Sequence, residues 1–147
     1  MPTLVEAARQ RGVTDCRLLS YEKIAAGRLE LRADVVVCNF SLLGKESVEG
    51  LLRVIPTLLQ PDGSFIAQTL HPLVACGDQP YADGWRSGSW AGFSDAFSDA
   101  PPWYFRTLPA WLELFRVSGL TLRTLHEPLD PRTGKPASVI FVAQPSG

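Results

Sequence analysis

The sequence predicts an α/β domain with a mostly parallel sheet closed by an antiparallel C-terminal pair. Three segments carry that reading. Val35-Val36-Val37-Cys38 is an apolar run without alternation, as expected of a strand covered on both faces. Val48, Leu51, Leu52, Ile55, Leu58 and Leu59 then follow helical spacing, and Ser64-Phe65-Ile66-Ala67-Gln68-Thr69-Leu70 reads as a second strand. Strand, helix, turn and strand over this length form a parallel crossover unit.

The remaining elements follow from local chemistry. Residues 3–12 read as a helix: Thr3 and Glu6 form a capping box, and Gly12 supplies the stop. Cys16–Leu19 is a candidate strand, and residues 21–26 make a helical turn ending at Gly27. Ser47 is the expected N-cap of the long helix, which Pro56 should kink or divide. Pro61-Asp62-Gly63 marks a turn. In residues 72–106 periodicity gives way to Pro, Gly, Ser, Asp and aromatics, the composition of an ordered lid rather than a disordered linker. Thr107 caps a helix with Leu108, Trp111, Leu112 and Phe115 on one face. Leu120–Leu125 and Ser138–Ala143 are strands joined by a Pro- and Gly-containing excursion.

Composition bounds the function. The 147 residues form one domain, 1–147, with 46% hydrophobic and 20% charged residues, enough for a real core. A net charge of -1 argues against a broad nucleic-acid footprint, which needs clustered Lys and Arg. No apolar run is long enough to span a bilayer, and the N-terminus has no basic segment leading into an apolar stretch. Three widely spaced cysteines, Cys16, Cys38 and Cys76, fit reduced thiols and a cytoplasmic protein. His71 and Cys76 have no second pair at zinc spacing, so no metal is expected.

Several residues could carry chemistry. Asn39 and Phe40 stand at the carboxyl end of a buried strand, where open α/β sheets hold ligands; the alternative is a polar strand terminus and a core phenylalanine. His71, before Pro72 at another strand end, is a candidate general base, or a histidine bonded to backbone. Tyr81, Trp85, Trp90, Trp103 and Tyr104 could line an acceptor pocket or form the lid's own small core. Asp83, Asp95 and Asp99 read as solvated. Trp111 reads as core and His126 as surface.

Taken in order, Ala33-Asp34-Val35-Val36-Val37-Cys38-Asn39-Phe40-Ser41-Leu42-Leu43 resembles the fourth-strand segment of class I S-adenosylmethionine-dependent methyltransferases. Leu58-Leu59-Gln60-Pro61-Asp62-Gly63-Ser64-Phe65-Ile66 is similar to that family's lead into its fifth strand, and Ser118-Gly119-Leu120 with the two strands after it to the closing antiparallel pair. The resemblance implies a Rossmann-like fold and S-adenosylmethionine as cofactor. Asn39 and Phe40, with Ser20 and Tyr21 after a strand, would face the donor; Ser20 has a plainer role as helix cap. His71 and the aromatic lid would face a small-molecule acceptor. One departure stands out. The family grips its cofactor through a glycine-rich loop and an acidic residue near its start, whereas Gly12 and Gly27 are isolated and no G-x-G-x-x-G occurs before residue 44. The resemblance therefore implies a truncated fold that begins after the family's first two strands. It implies weak or absent cofactor binding by this chain alone, and leaves two functions open: a methyltransferase or its C-terminal portion, and a non-catalytic remnant acting as an interaction module or half of a split enzyme. An exposed edge on the Val35–Phe40 strand would follow, covered either by Cys16–Leu19 or by a second copy in a homodimer.

Overall fold

In a computed structural model describing residues 2–88 and 100–147, the sequence folds into one four-stranded mixed sheet with helices packed on one of its faces, plus a two-stranded ribbon. The elements are α1 (Pro2–Gln10), α2 (Tyr21–Ala25), β1 (Ala33–Asn39), α3 (Glu46–Leu58), β2 (Leu59–Leu70), α4 (Pro72–Ala75), β3 (Gly84–Arg86), β4 (Trp103–Phe105), α5 (Leu108–Val117), β5 (Leu120–His126) and β6 (Ser138–Pro145). The sheet order is β1-β2-β6-β5. β1 pairs parallel with β2, and β6 runs antiparallel to both of its neighbours. Three strands thus share one direction, and the carboxyl ends of β1, β2 and β5 lie along one edge of the sheet.

Packing explains the crossover. Val48, Leu51, Leu52, Ile55 and Leu58 of α3 are buried, and they meet Phe65 and Ala67 of β2 and Val139, Phe141 and Ala143 of β6. From α5, Trp111 and Phe115 stack against Phe141 with ring centroids 5.9 and 5.0 Å away. Each such ring adds offset or edge contact beyond its area burial. Pro61-Asp62-Gly63 forms no turn but lies inside β2, at the irregularity in its pairing with β1 between Ala33 and Val35; Gly63 fits there because a Cβ would lie 2.9 Å from the Gln60 carbonyl oxygen and 3.1 Å from those of Ala33 and Asp34.

Several expectations are corrected. Cys16–Leu19 is not a strand; it runs as irregular chain into Ser20. Thr3 lies inside α1, which starts at Pro2, so it is not a cap. Ser47 lies inside α3, whose N-cap is Lys45 without a side-chain bond; Glu46 and Glu49 instead place negative charge against the first turn. Pro56 neither divides nor ends α3, since it falls within the last turn before Leu58. Leu112 is 40% exposed, and Leu114 takes the buried position on α5. β1 is not covered on both faces. Cys38 is buried toward the helices, whereas Val35 and Val37 are 50% and 60% exposed on the opposite face.

Candidate functional site

The carboxyl edge of the sheet gathers most of the residues singled out from the sequence. At the end of β1, Phe40 has φ 51°, the left-handed region that a bulky residue seldom enters. Two neighbours hold it there. Its N–H donates to the Gln68 carbonyl at 2.8 Å, and two residues on, Leu42 is buried at 2% exposure. The turn leaves the ring 43% exposed and Asn39 exposed beside it. Strain of this kind concentrates at ligand-contacting positions.

Ser20 and Tyr21 come to the same place by another route. Ser20 Oγ accepts the Lys23 N–H at 3.2 Å and caps α2, so its hydroxyl has the plainer role. Tyr21 packs on the core beside Ser41 and Cys38. Burial raises the Tyr21 hydroxyl above its ordinary pKa, with Ser41 hydrogen bonding opposing it. The Cys38 thiol is likewise raised, chiefly by burial. A buried thiol held protonated is a poor nucleophile.

His71 ends β2 and is 1% exposed. Its Nδ1 accepts the Leu73 N–H at 3.2 Å, capping α4, and its Nε2 lies 2.6 Å from Glu127 Oε2. With Nδ1 accepting, the hydrogen-bond pattern puts the ring hydrogen on Nε2, donated to the carboxylate. Both ring nitrogens are committed. The group of this pair that reaches solvent is the half-exposed Glu127.

The aromatic residues interlock. Trp85 meets Tyr104 edge-on at 5.5 Å, Tyr81 meets Phe105 at 6.0 Å, and Trp103 meets Phe105 at 5.9 Å. The lid therefore has its own small core, while Trp85 stays 55% exposed. Trp103 and Tyr104 also close, with Leu42, Thr69, Leu70 and Pro72, over a small, nearly filled space at the ends of β1 and β2. Trp90, Asp95 and Asp99 lie outside the described residues. Tyr81 and Asp83 additionally cap α5: the Tyr81 hydroxyl accepts the Leu108 N–H at 2.8 Å, and Asp83 Oδ1 accepts the Thr107 N–H at 2.7 Å.

Sequence reasoning missed Glu127 and Arg106. Arg106 is 5% exposed and donates to the carbonyls of Gly44 and Lys45 at 2.9 and 3.0 Å. Its guanidinium lies over the rings of Tyr104 and Trp111. Together with the Tyr104 N–H to Leu43 carbonyl bond of 2.7 Å, this clamps the ribbon to the loop after β1. Burial pulls the Arg106 pKa down, and Glu49 at 3.9 Å is the nearest opposing charge. The signal was the arginine directly after three aromatics, a composition suited to stacking. Glu127 carried no local signal, since its partner is 56 residues away.

No family model and no curated protein matches the chain. Solved structures do. The chain is similar to an S-adenosylmethionine dependent methyltransferase from Mesorhizobium loti, at 19% identity over 98% of this chain and 76% of that one, with a TM-score of 0.68. It is similar to a protein from Listeria monocytogenes described as an S-adenosylmethionine dependent methyltransferase, at 16% identity over 79% of this chain and 62% of that one, with a TM-score of 0.61. A third likeness is to the Burkholderia thailandensis 1,6-didemethyltoxoflavin-N1-methyltransferase with bound 1,6-didemethyltoxoflavin and S-adenosylhomocysteine, at 20% identity and a TM-score of 0.56; it covers 81% of this chain and 46% of that one. The chain thus spans less than two thirds of two of these three structures. At such identities the likeness establishes the fold, and it is the Rossmann-like class I methyltransferase fold.

Proposed function

We propose that this chain carries the acceptor side, and one wall of the donor side, of an S-adenosylmethionine-dependent methyltransferase for a small-molecule acceptor. The observation that carries the reading is the strained, half-exposed Phe40 at the carboxyl end of a parallel strand, in the loop whose Leu43 carbonyl accepts the Tyr104 N–H of the aromatic ribbon. Asn39, Phe40 and Tyr21 would contact the donor, and Ser20 would hold Tyr21 in place through its cap on α2. S-adenosylmethionine supplies an electrophilic methyl on sulfur. Alignment of donor and acceptor is then the protein's main task.

The residues present fit one side of such a ligand. No glycine-rich turn stands beside β1 among the described residues, so no backbone cradle closes over the other side. Trp103, Tyr104, Tyr81 and Trp85, with Trp90 from the same segment, would border the acceptor. His71 is then a positioning residue: by donating Nε2–H to Glu127 it orients a carboxylate that takes the proton released by the acceptor's nucleophile. The protein would work in the cytoplasm as a homodimer. The absent cradle equally favours a second reading, an interaction module or half of a split enzyme, and one experiment separates a complete site from these. Calorimetric titration of the chain with S-adenosylmethionine is expected to give a dissociation constant weaker than about 0.1 mM. A low-micromolar value would overturn the one-walled site.

A further inference from the structure

Arg106 is a buried cation whose hydrogen bonds go to main chain rather than to a carboxylate. Its side chain is 4% exposed, and Glu49 Oε1, 3.9 Å away, lies closer to Lys45 Nζ, at 3.3 Å. Two nitrogens of the guanidinium donate instead to the Gly44 and Lys45 carbonyls. A buried charge is a weak source of stability, because desolvation offsets most of what its partners return, and a well-packed apolar side chain often serves as well. A guanidinium supplies what an apolar side chain does not, namely orientation: a planar fork that fixes two acceptors at once, and a flat face for rings. Here the fork holds the loop after β1. The cation stands 4.8 Å from the Tyr104 ring centroid and 5.1 Å from that of Trp111.

That loop begins at Phe40. One end is tied by the Phe40 N–H to Gln68; at the other, the carbonyls of three successive residues, Leu43, Gly44 and Lys45, accept from Tyr104 and Arg106. A bulky residue at φ 51° keeps that conformation only where its surroundings over-determine it. On the methyltransferase reading of this edge, on which the inference rests, we propose that Arg106 is a positioning residue: it holds the Phe40 turn and the Tyr104 strand of the ribbon as one unit, so that the donor wall and the aromatic border of the acceptor keep a fixed separation. The ribbon's other arginine has a different task. Arg86 lies over Phe105, 4.5 Å from the ring centroid, and donates to Gln79 Oε1 and to the carbonyls of Pro80 and Ala82. It ties the ribbon to the segment after α4. Loosening the ribbon there leaves the loop after β1 in the grip of Arg106.

Amide NMR on the full chain tests the proposal with two conservative variants, Arg106→Lys and Arg86→Lys. Lysine keeps the charge but has no planar fork. In Arg106→Lys, exchange of the Tyr104 amide, which donates to Leu43, should quicken about tenfold or more, and the Phe40 and Ser41 amide resonances should move. In Arg86→Lys both should stay as in the unsubstituted chain, while the Gln79 and Ala82 amides shift. Should Arg106→Lys fail to fold, Tyr104→Leu takes the ring from the guanidinium without altering the loop's own residues, and Phe40 and Ser41 should again move. Affinity for S-adenosylhomocysteine, read from its shifts at Phe40, should fall about threefold or more in Arg106→Lys and hold in Arg86→Lys. An unsubstituted chain silent toward S-adenosylhomocysteine would overturn the donor reading, and the measurements made without ligand would still decide the role of Arg106. Unmoved Phe40 and Ser41 resonances with unchanged Tyr104 exchange in Arg106→Lys would overturn the proposal. So would equal changes in Arg86→Lys, the mark of a general loosening of the lid.

Discussion

Replacing Phe40 by glycine and, separately, by alanine should invert the usual order of stability. At an ordinary position alanine is the more stable by about 0.4–1 kcal/mol, because glycine loses more backbone freedom on folding. Phe40 has φ 51°, where a side chain meets the following carbonyl at a penalty of about 1–2 kcal/mol. Both variants lose the same half-exposed ring, so that loss cancels in the comparison. Only glycine also loses the strain. The difference leaves Phe40→Gly ahead of Phe40→Ala by about 0.5–1 kcal/mol. Urea unfolding followed by circular dichroism reads this as a higher midpoint for glycine, with a melting temperature higher by about 2 °C. Equal midpoints, or alanine ahead, would show that the turn after β1 is unstrained and remove the main argument for placing a ligand there.

Three further outcomes follow from the packing. His71→Ala should lower stability by about 2–3 kcal/mol, because it uncaps α4 and leaves a cavity at the end of β2; thermal melting reads that loss, and an unchanged melting temperature would contradict it. Gly63→Ala should destabilise by more than about 1 kcal/mol in urea titration, since its Cβ would press on three main-chain carbonyls, and a neutral result would contradict the close approach of β1 to β2 at Gly63. In titration with an aromatic disulfide at neutral pH, Cys16 and Cys76 should react with the folded protein. Cys38, buried with a raised pKa, should react only on unfolding.

The parts of the fold legible in the sequence are those with strong local periodicity. The helical stripe from Val48 to Leu58, the apolar run of β1 and the Thr107 cap each encode their own element, and each forms. Cys16–Leu19 misled because a short β-prone stretch becomes a strand only when a ladder partner is present. The apolar run of β1 was read correctly as a strand but wrongly as covered on both faces, since neighbours decide which face is wet. Phe40 was singled out from its strand-end position, while its left-handed turn depends on Gln68, far away in sequence. Glu127 was invisible for the same reason: a hydrogen bond across the sheet leaves no spacing signature. Tyr81 read as pocket lining or lid core and Asp83 as a solvated charge; Tyr81 packs on Phe105 in the lid, and both also finish the first turn of α5, a role fixed only once the lid is folded.

The most direct test of the account is to map where an adenosyl ligand touches the chain. Uniformly labelled protein would be titrated with S-adenosylhomocysteine into the millimolar range while backbone amide resonances are followed by NMR. The predicted result is weak, fast-exchanging shifts concentrated at Tyr21, Asn39, Phe40 and Ser41, and greatly reduced in the Phe40→Gly variant. Shifts confined to the shallow clefts lined by Leu19, Lys23 and Arg28 or by Lys45, Arg53 and Glu113, with the end of β1 silent, would contradict it.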